Sequence, residues 1–326
     1  MIFTSVHNAA TTGYAMKRAR PLLGTLVEIA ARGATEAEVS HAISQAFAAV
    51  ETIQSLMSYH DPASDVSRLN RMGVSCISVD PHTWHVVEVA RSISEASDGL
   101  FDISIAPELV RYGYLPNHAD FTPSAADANW QHIELLSDHR VRLVRPLHLD
   151  LGGIAKGYAV DCAIRALQSA GMASGRVNAG GDLRLFGDTA ETIHVRHPHY
   201  ATQLMPLCTL TEGAIATSAL YYSSQQVDGH AVSPLINART RNACVESSSV
   251  SVLADHCIVA DALTKVVFAQ PERALAVLTQ FGAHAVVLDI EPGQTTAGLP
   301  GPGRVRHAGP DGWRFVTASE QEAAAA

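Results

Sequence analysis

The sequence predicts an α+β fold, mixed sheets with packed helices, on two observations. Helix-like and strand-like segments are interspersed without the regular strand, helix, strand rhythm of a doubly wound parallel sheet. The clearest strand pair, His132–Leu136 and Val141–Val144, is joined by a short polar turn, Ser137–Arg140, which is the pattern of a hairpin.

The elements follow in order. Residues 22–30, LLGTLVEIA, are apolar and β-compatible and read as a first strand. Thr35 and Glu38 then form a T-x-x-E capping box, and Val39, Ile43, Phe47, Val50 and Met57 follow at helical spacing, so their common face is expected to be buried. A second helix is read from Pro81, tolerated in a first turn, to a stop at Gly99. A third starts after Gly152–Gly153 and runs to Gly171, burying Tyr158, Cys162 and Leu167. Strands are read near Gly175–Asn178, Leu183–Phe186, Ile193–Arg196, Val250–Leu253 and Ala285–Ile290, with a helix at Glu272–Phe281. Pro116–Asn129 and Gly293–Gly303 read as loose connections. Neither separates two compositional regimes, so residues 20–318 are expected to form one domain, or two closely packed lobes. Residues 1–19 are expected to be a disordered leader, with Met16 as an alternative start, and 319–326 a surface tail.

The 326 residues are 47% apolar and 17% charged, enough to bury a sizeable core and unlike a disordered chain. The 23 basic and 32 acidic side chains leave a net charge of −9, which argues against nucleic acid or an anionic bilayer as partner. The five cysteines are odd in number and contain no C-x-x-C pair, so mostly buried, reduced thiols are expected rather than disulfides or zinc. No apolar run is long enough to span a membrane, and the first twenty residues lack the order of a secretory signal, so the expected location is cytoplasmic, with export as the alternative if the start is misassigned.

Three segments carry chemistry. In Leu149–Asp161, LDLGGIAKGYAVD, two glycines let backbone approach a ligand, and the helix behind them offers unpaired N–H groups and a positive dipole end. Lys156 in the first helical turn is poorly placed against that dipole, so it calls for a partner such as a phosphate or Asp150, unless the segment is only a C-cap-like turn with Lys156 in solvent. In Val177–Leu183, VNAGGDL, a second glycine pair is bracketed by Asn178 and Asp182, consistent with a ligand site or simply a hairpin turn. In Ala260–Lys265, ADALTK, Asp261 and Thr264 share one helical face and offer oxygen to a hard cation, unless the segment is only an amphipathic helix start.

LDLGGIAKGYAVD followed by VNAGGDL resembles the signature of the flavinyltransferase (ApbE) family. RPLLGTLVEI at Arg20–Ile29, MSYHDPASDVSRLN at Met57–Asn70, FDISIAP at Phe101–Pro107, AIATS at Ala214–Ser218 and ADALTKVVF at Ala260–Phe268 extend the resemblance over roughly residues 20–290, in the family's order. It implies a T-fold-related α+β architecture that holds FAD, with magnesium at the pyrophosphate. The implied reaction passes the FMN half of FAD to a Thr or Ser hydroxyl on an acceptor protein and releases AMP. By resemblance, the backbone at Gly153 together with Asp261 and Thr264 forms the metal site. Leu23, His60, Leu100, Phe101, Asp102, Asp150, Lys156, Asp182 and Ile236 contact FAD.

The departures have chemical content. Where the family commonly reads Ser-His-Ile-Ile-Asp-Pro-Arg-Thr-Gly, this chain reads Ser233-Pro234-Leu235-Ile236-Asn237-Ala238-Arg239-Thr240-Arg241. A histidine and an aspartate are absent there, and His230 is either a substitute imidazole or a surface loop residue. Ala219 and Leu220 stand where Gly and Asp are usual, and His60 where Tyr is frequent. Lys265 falls where the family usually supplies a metal-binding threonine, and a protonated lysine has no lone pair for magnesium. Either its ammonium pairs with Asp261 and replaces part of the cation's charge, or Thr264 takes over ligation and Lys265 points away. Three functions follow from the altered segments: FMN transfer, FAD binding by an inactive paralogue, or FAD pyrophosphate hydrolysis.

Overall fold

The computed structural model gathers most of the expected strands into one large antiparallel sheet, while the 132–144 hairpin forms a small sheet of its own. The structure describes residues 3–4, 13–196, 204–220, 224–227, 229–245 and 248–289, and the strand positions 295–296, 299–300, 305–309 and 312–315. Nine strands form the main sheet in the order Tyr14–Leu22, Thr25–Gly33, Ser174–Ala179, Asp182–Phe186, Gly213–Ala219, Ser248–Ala254, His284–Asp289, Val305–Gly309 and Gly312–Phe315. Every neighbouring pair is antiparallel, so the α+β class holds with antiparallel rather than parallel pairing. The expected Ala285–Ile290 strand is seen as far as Asp289, and residue 290, most of 293–303 and the tail 319–326 lie outside the described residues.

The first hairpin corrects two expectations. Residues 23–24 are not strand interior but the turn between Tyr14–Leu22 and Thr25–Gly33, and residues 14–19 are strand rather than leader. Leu23 (φ 56°) and Gly24 (φ 69°) both take the left-handed backbone of a two-residue hairpin turn. A leucine there is strained, and its N–H is held by Gln54 Oε1 at 2.6 Å. In the following strand Val27, Ile29 and Ala31 alternate toward the helices, the period-two pattern of a sheet with one face in the core.

Helix α1 (Glu36–Met57) starts at the expected capping box, with Thr35 and Glu38 bonded reciprocally, and buries the expected apolar stripe. Short helices α2 (Asp65–Met72) and α4 (Ala106–Arg111) have 8 and 6 residues, too few turns for an apolar period to stand out in the sequence. Helix α3 (Pro81–Ala96) has Asp80 as its cap, and α5 (Ala155–Ser169) follows the first glycine pair. The last two are α6 (Cys257–Ala269) and α7 (Pro271–Gln280). Helices α1, α5 and α6 lie side by side against the main sheet, and one continuous core fills the space between. Two small clusters on the sheet bring in Ile193 and Val195 from the separate strand pair Glu191–Arg196 and Leu204–Leu210. The strands Ile133–Leu136 and Arg140–Leu143 pair as expected and are joined by Ser75–Ser78. Cys162 and Cys257 are buried, but Cys76 is exposed and Cys208 and Cys244 half-buried, so the thiols are free yet less buried than expected.

Candidate functional site

Two helix starts are interlocked by two aspartates. Neither α5 nor α6 has a side-chain cap at its own N-cap residue, Ile154 or His256. Asp161 of α5 instead accepts from the backbone N–H groups of Cys257 (3.0 Å) and Ile258 (2.9 Å), and Arg184 closes on it at 2.7 Å. In return Asp261 of α6 accepts from the Gly157 N–H at 3.1 Å. The crossing is close because residue 157 is glycine. A Cβ there would overlap the Cys257 carbonyl and stand 2.8 Å from Asp261 Cβ. Carboxylates at helix N-termini satisfy orphan donors and complement the dipole, so this exchange sets α6 at a defined depth against α5.

Two lysines face the same acids. Lys156 Nζ lies 2.5 Å from Asp182 Oδ2 and 3.8 Å from Asp261 Oδ2, so its carboxylate partner is Asp182 and not the expected Asp150. Burial alone would lower the Lys156 ammonium, but Asp182 and Asp261 outweigh it and hold its pKa well above the usual lysine value. Burial and the neighbouring Asp261 push Asp182 upward. Lys265 Nζ donates to Asp261 Oδ1 and, at 2.9 Å, to the Asp261 carbonyl.

These groups stand at a cleft of about 790 Å³. It runs from the Leu23–Gly24 turn past the end of α1 and the Leu100–Ile103 segment to Asp150, the Gly152–Gly153 turn and Lys156, and ends at Gly180, Thr217, Ser218 and Pro234–Ile236. Of the residues singled out from sequence, Leu23, His60, Leu100, Phe101, Asp102, Asp150, Gly153, Lys156, Ile236 and Lys265 line this cleft. Asp182, Asp261 and Thr264 do not form its wall and lie behind the lysines, nearly or wholly buried. Both glycine pairs reach the same cavity, and the second is also a hairpin turn, with Gly180 at φ 66° and Gly181 at φ 119°. His230 is exposed on the short pair Gln225–Val227 and His230–Val232, away from the lining.

The cleft carboxylates differ in how they are held. Asp102 is nearly buried, and burial raises its carboxyl although Arg241 pairs with it at 3.0 Å and the N–H groups of Ser104 and Trp130 bond it. Its carboxylate thus holds the Ser104, Trp130 and Arg241 donors in place at the cleft wall. Asp150 accepts from the Gly152 N–H at 3.1 Å, and burial pushes its pKa up to about 6 against the pull of His60, Lys156 and Lys265. The nearby Tyr59 is pushed up to about 12 by burial and by Asp150. Sequence reading missed Asp161, whose only signal is an acid one turn beyond Gly157 in an apolar helix. It also missed Gln54, which nothing in the sequence marks.

The sequence profile of the ApbE family matches residues 23–288. The chain belongs to the ApbE family. A Rhodobacter capsulatus protein named FAD:protein FMN transferase is 28% identical over 296 residues, 85% of this chain and 55% of that protein, so the chain spans about half that relative's length. A Vibrio cholerae protein of the same name is 28% identical over 247 residues, 70% of this chain and 73% of its own. The crystal structure of an ApbE protein from Thermotoga maritima superposes with a TM-score of 0.75 at 24% identity, over 84% of this chain and 94% of that one. The apo Pseudomonas stutzeri flavinyl transferase ApbE gives 0.74 at 22%, over 98% and 99%. The shared architecture is thus an ApbE fold, and no helix among the described residues is long and apolar enough to cross a membrane.

Against the ApbE pattern, the 233–241 segment is rebuilt but well bonded. Asn237 Oδ1 accepts from the N–H groups of Arg239 and Thr240, both at 3.1 Å, as an aspartate oxygen would, and its amide adds a donation to the Ala269 carbonyl that an aspartate could not make. Arg241 stands at φ 57° where glycine is usual, and its guanidinium reaches Asp102, the Ser104 carbonyl and the Ala128 carbonyl. Pro234 puts an apolar ring on the cleft wall in place of an imidazole.

Magnesium, implied by the ApbE resemblance at Gly153, Asp261 and Thr264, does not fit the donors as they stand. Asp261 Oδ1 and the Asp261 carbonyl face the Lys265 ammonium, and Asp261 Oδ2 faces the Gly157 N–H. Thr264 is fully buried, donates its hydroxyl to the Asp261 carbonyl at 2.7 Å and meets Ser218 Oγ at 2.8 Å. No group of three His, Cys, Asp or Glu side chains able to hold a metal gathers among the described residues.

Proposed function

We propose that this protein transfers the FMN half of FAD to a Thr or Ser hydroxyl of an acceptor protein, forming a phosphoester and releasing AMP. The observation that carries the reading is the convergence of the Gly152–Gly153 turn, Gly180, Lys156 and Lys265 on one cleft. Backbone N–H groups at a helix start and two ammoniums are what a diphosphate requires, and the apolar lining from Leu23 to Phe101 suits a flat aromatic ring system. The names of the relatives carry FAD as the donor and a protein as the acceptor.

In this reading the acceptor oxygen attacks the phosphorus on the FMN side, the P–O bond to AMP breaks, and AMP leaves with the bridging oxygen. Positioning and charge neutralisation do most of the work of phosphoryl-type transfer, and Lys156, held protonated by its acids, serves the second role. The hydroxyl proton needs an acceptor in the cleft. Asp102 is bound to Arg241, whereas Asp150 bonds only one backbone N–H among its described contacts and titrates near 6, so Asp150 takes it.

The test is incubation of the purified protein with FAD, with and without an acceptor carrying a Thr or Ser site, following AMP and protein-bound flavin fluorescence. AMP and a fluorescent acceptor together support transfer. AMP without acceptor supports FAD hydrolysis, and neither product supports a flavin-binding module, the role Pro234 on the cleft wall would suit.

A further inference from the structure

We propose that Lys265, acting with Lys156, takes the place of a divalent cation in this cleft, so that the site grips a dinucleotide's diphosphate without metal. The proposal rests on the FAD reading above and goes beyond it by assigning the ammonium donors that meet the phosphates.

Four observations carry it. Lys265 projects from α6 one turn after Asp261, and its ammonium is bonded to both the carboxylate and the carbonyl of that residue. The side chain is 15% exposed, and that exposure is on the cleft, where Lys265 is part of the lining. Its stem packs on the floor turn, with Cε 3.4 Å from where a Cβ on Gly153 would stand. Lys156 approaches the same aspartate from α5, 3.8 Å from its other oxygen.

The two buried acids, Asp182 and Asp261, are therefore matched one for one by two ammoniums. A divalent ion at Asp261 would need lone pairs that now point at N–H groups, and it would sit beside a positive charge on a short tether. The ammonium supplies three donors on a flexible stem, so it can hold Asp261 and a phosphate oxygen at once. Lysine binds phosphate as a point charge, which is the role a metal would have filled. The other arrangement, with Thr264 ligating and Lys265 turned away, is opposed by the buried, doubly bonded Thr264 hydroxyl.

The experiment is a fluorescence titration of FAD into the full chain, first with a chelator and then with millimolar magnesium, for the natural protein and for Lys265→Thr and Lys265→Met. Circular dichroism and a urea midpoint establish that each variant is folded. The natural protein should bind FAD equally, within about twofold, in both conditions. Lys265→Thr should bind at least tenfold more weakly in chelator and recover with magnesium, since it restores an oxygen and frees Asp261. Lys265→Met, which offers neither charge nor lone pair of that kind, should stay weak. If the natural protein binds FAD only when magnesium is present, the lysine substitution for metal is overturned while the FAD reading stands. If it binds no FAD in either condition, both fall.

Discussion

Replacing Asp161 with alanine should destabilise the protein by about 4 kcal/mol. The carboxylate is 4% exposed and accepts from two backbone N–H groups at the start of α6, at 3.0 and 2.9 Å, and from Arg184 at 2.7 Å. Each stranded N–H costs about 1 kcal/mol, as for loss of a helix cap, which makes about 2. Breaking a buried ion pair costs roughly 3–5 kcal/mol, but the Arg184 side chain keeps 11% exposure and a path to water, so about 2 is the appropriate share. The total is a large fraction of the roughly 5–15 kcal/mol by which domains are stable. Urea unfolding followed by circular dichroism measures it. Asp161→Asn is the control, because its remaining oxygen can keep one N–H and Arg184 while its amide faces the other N–H, so about half the loss should return. A drop below about 1 kcal/mol for the alanine variant, or equal drops for both, would refute the view that Asp161 seats α6, and with it the account of how Asp261 and Lys265 are positioned.

Gly157→Ala tests the same crossing with the opposite local preference. Helix propensity favours alanine by about 1 kcal/mol, yet the added methyl meets backbone that cannot give way, so a net loss of about 1–2 kcal/mol and weaker FAD binding are expected by denaturation and flavin fluorescence. Arg241→Gly should relieve about 1 kcal/mol of left-handed strain while leaving the buried Asp102 unpaired, a net loss of about 2–3 kcal/mol in the urea midpoint; a more stable variant would show the arginine to be ornamental. The Asp150 carboxyl is raised from the ordinary 3.8 to about 6, so the folded protein holds this proton more tightly than the unfolded chain. That contribution is present below about pH 4 and is lost as pH rises through 6, so the natural protein should lose stability relative to Asp150→Asn across this window. Transfer rate, in contrast, should rise through about pH 6 in the natural protein and lose that limb in the variant; parallel profiles would remove Asp150 as proton acceptor.

Local signals were sufficient for the elements that carry their own chemistry. The Thr35–Glu38 box starts α1 because both partners lie within one turn, and the polar turn at 137–139 joins its strands because hairpin geometry is set by a few consecutive residues. The glycine pairs at 152–153 and 180–181 marked close backbone approach for the same reason. Where an element is short, as in α2 and α4, or held by its partner rather than by pattern, as in the Tyr14–Leu22 strand, sequence was silent or wrong. Tyr14–Leu22 is mostly exposed, so it has no apolar alternation to read and is defined by hydrogen bonds to its partner.

By itself the sequence determined the α+β class, the two glycine turns, the kinship with ApbE proteins and the chemical oddity of a lysine at position 265. All of these are properties of residue type and spacing. Only the tertiary structure decided which charge meets which: Lys156 turned to Asp182 rather than Asp150, Asp102 was taken by Arg241 from 139 residues away, and Asp161 and Asp261 exchanged caps between helices. A charge in a nearly dry interior is ruled by its nearest partner in space, and chain distance carries no information about who that partner is.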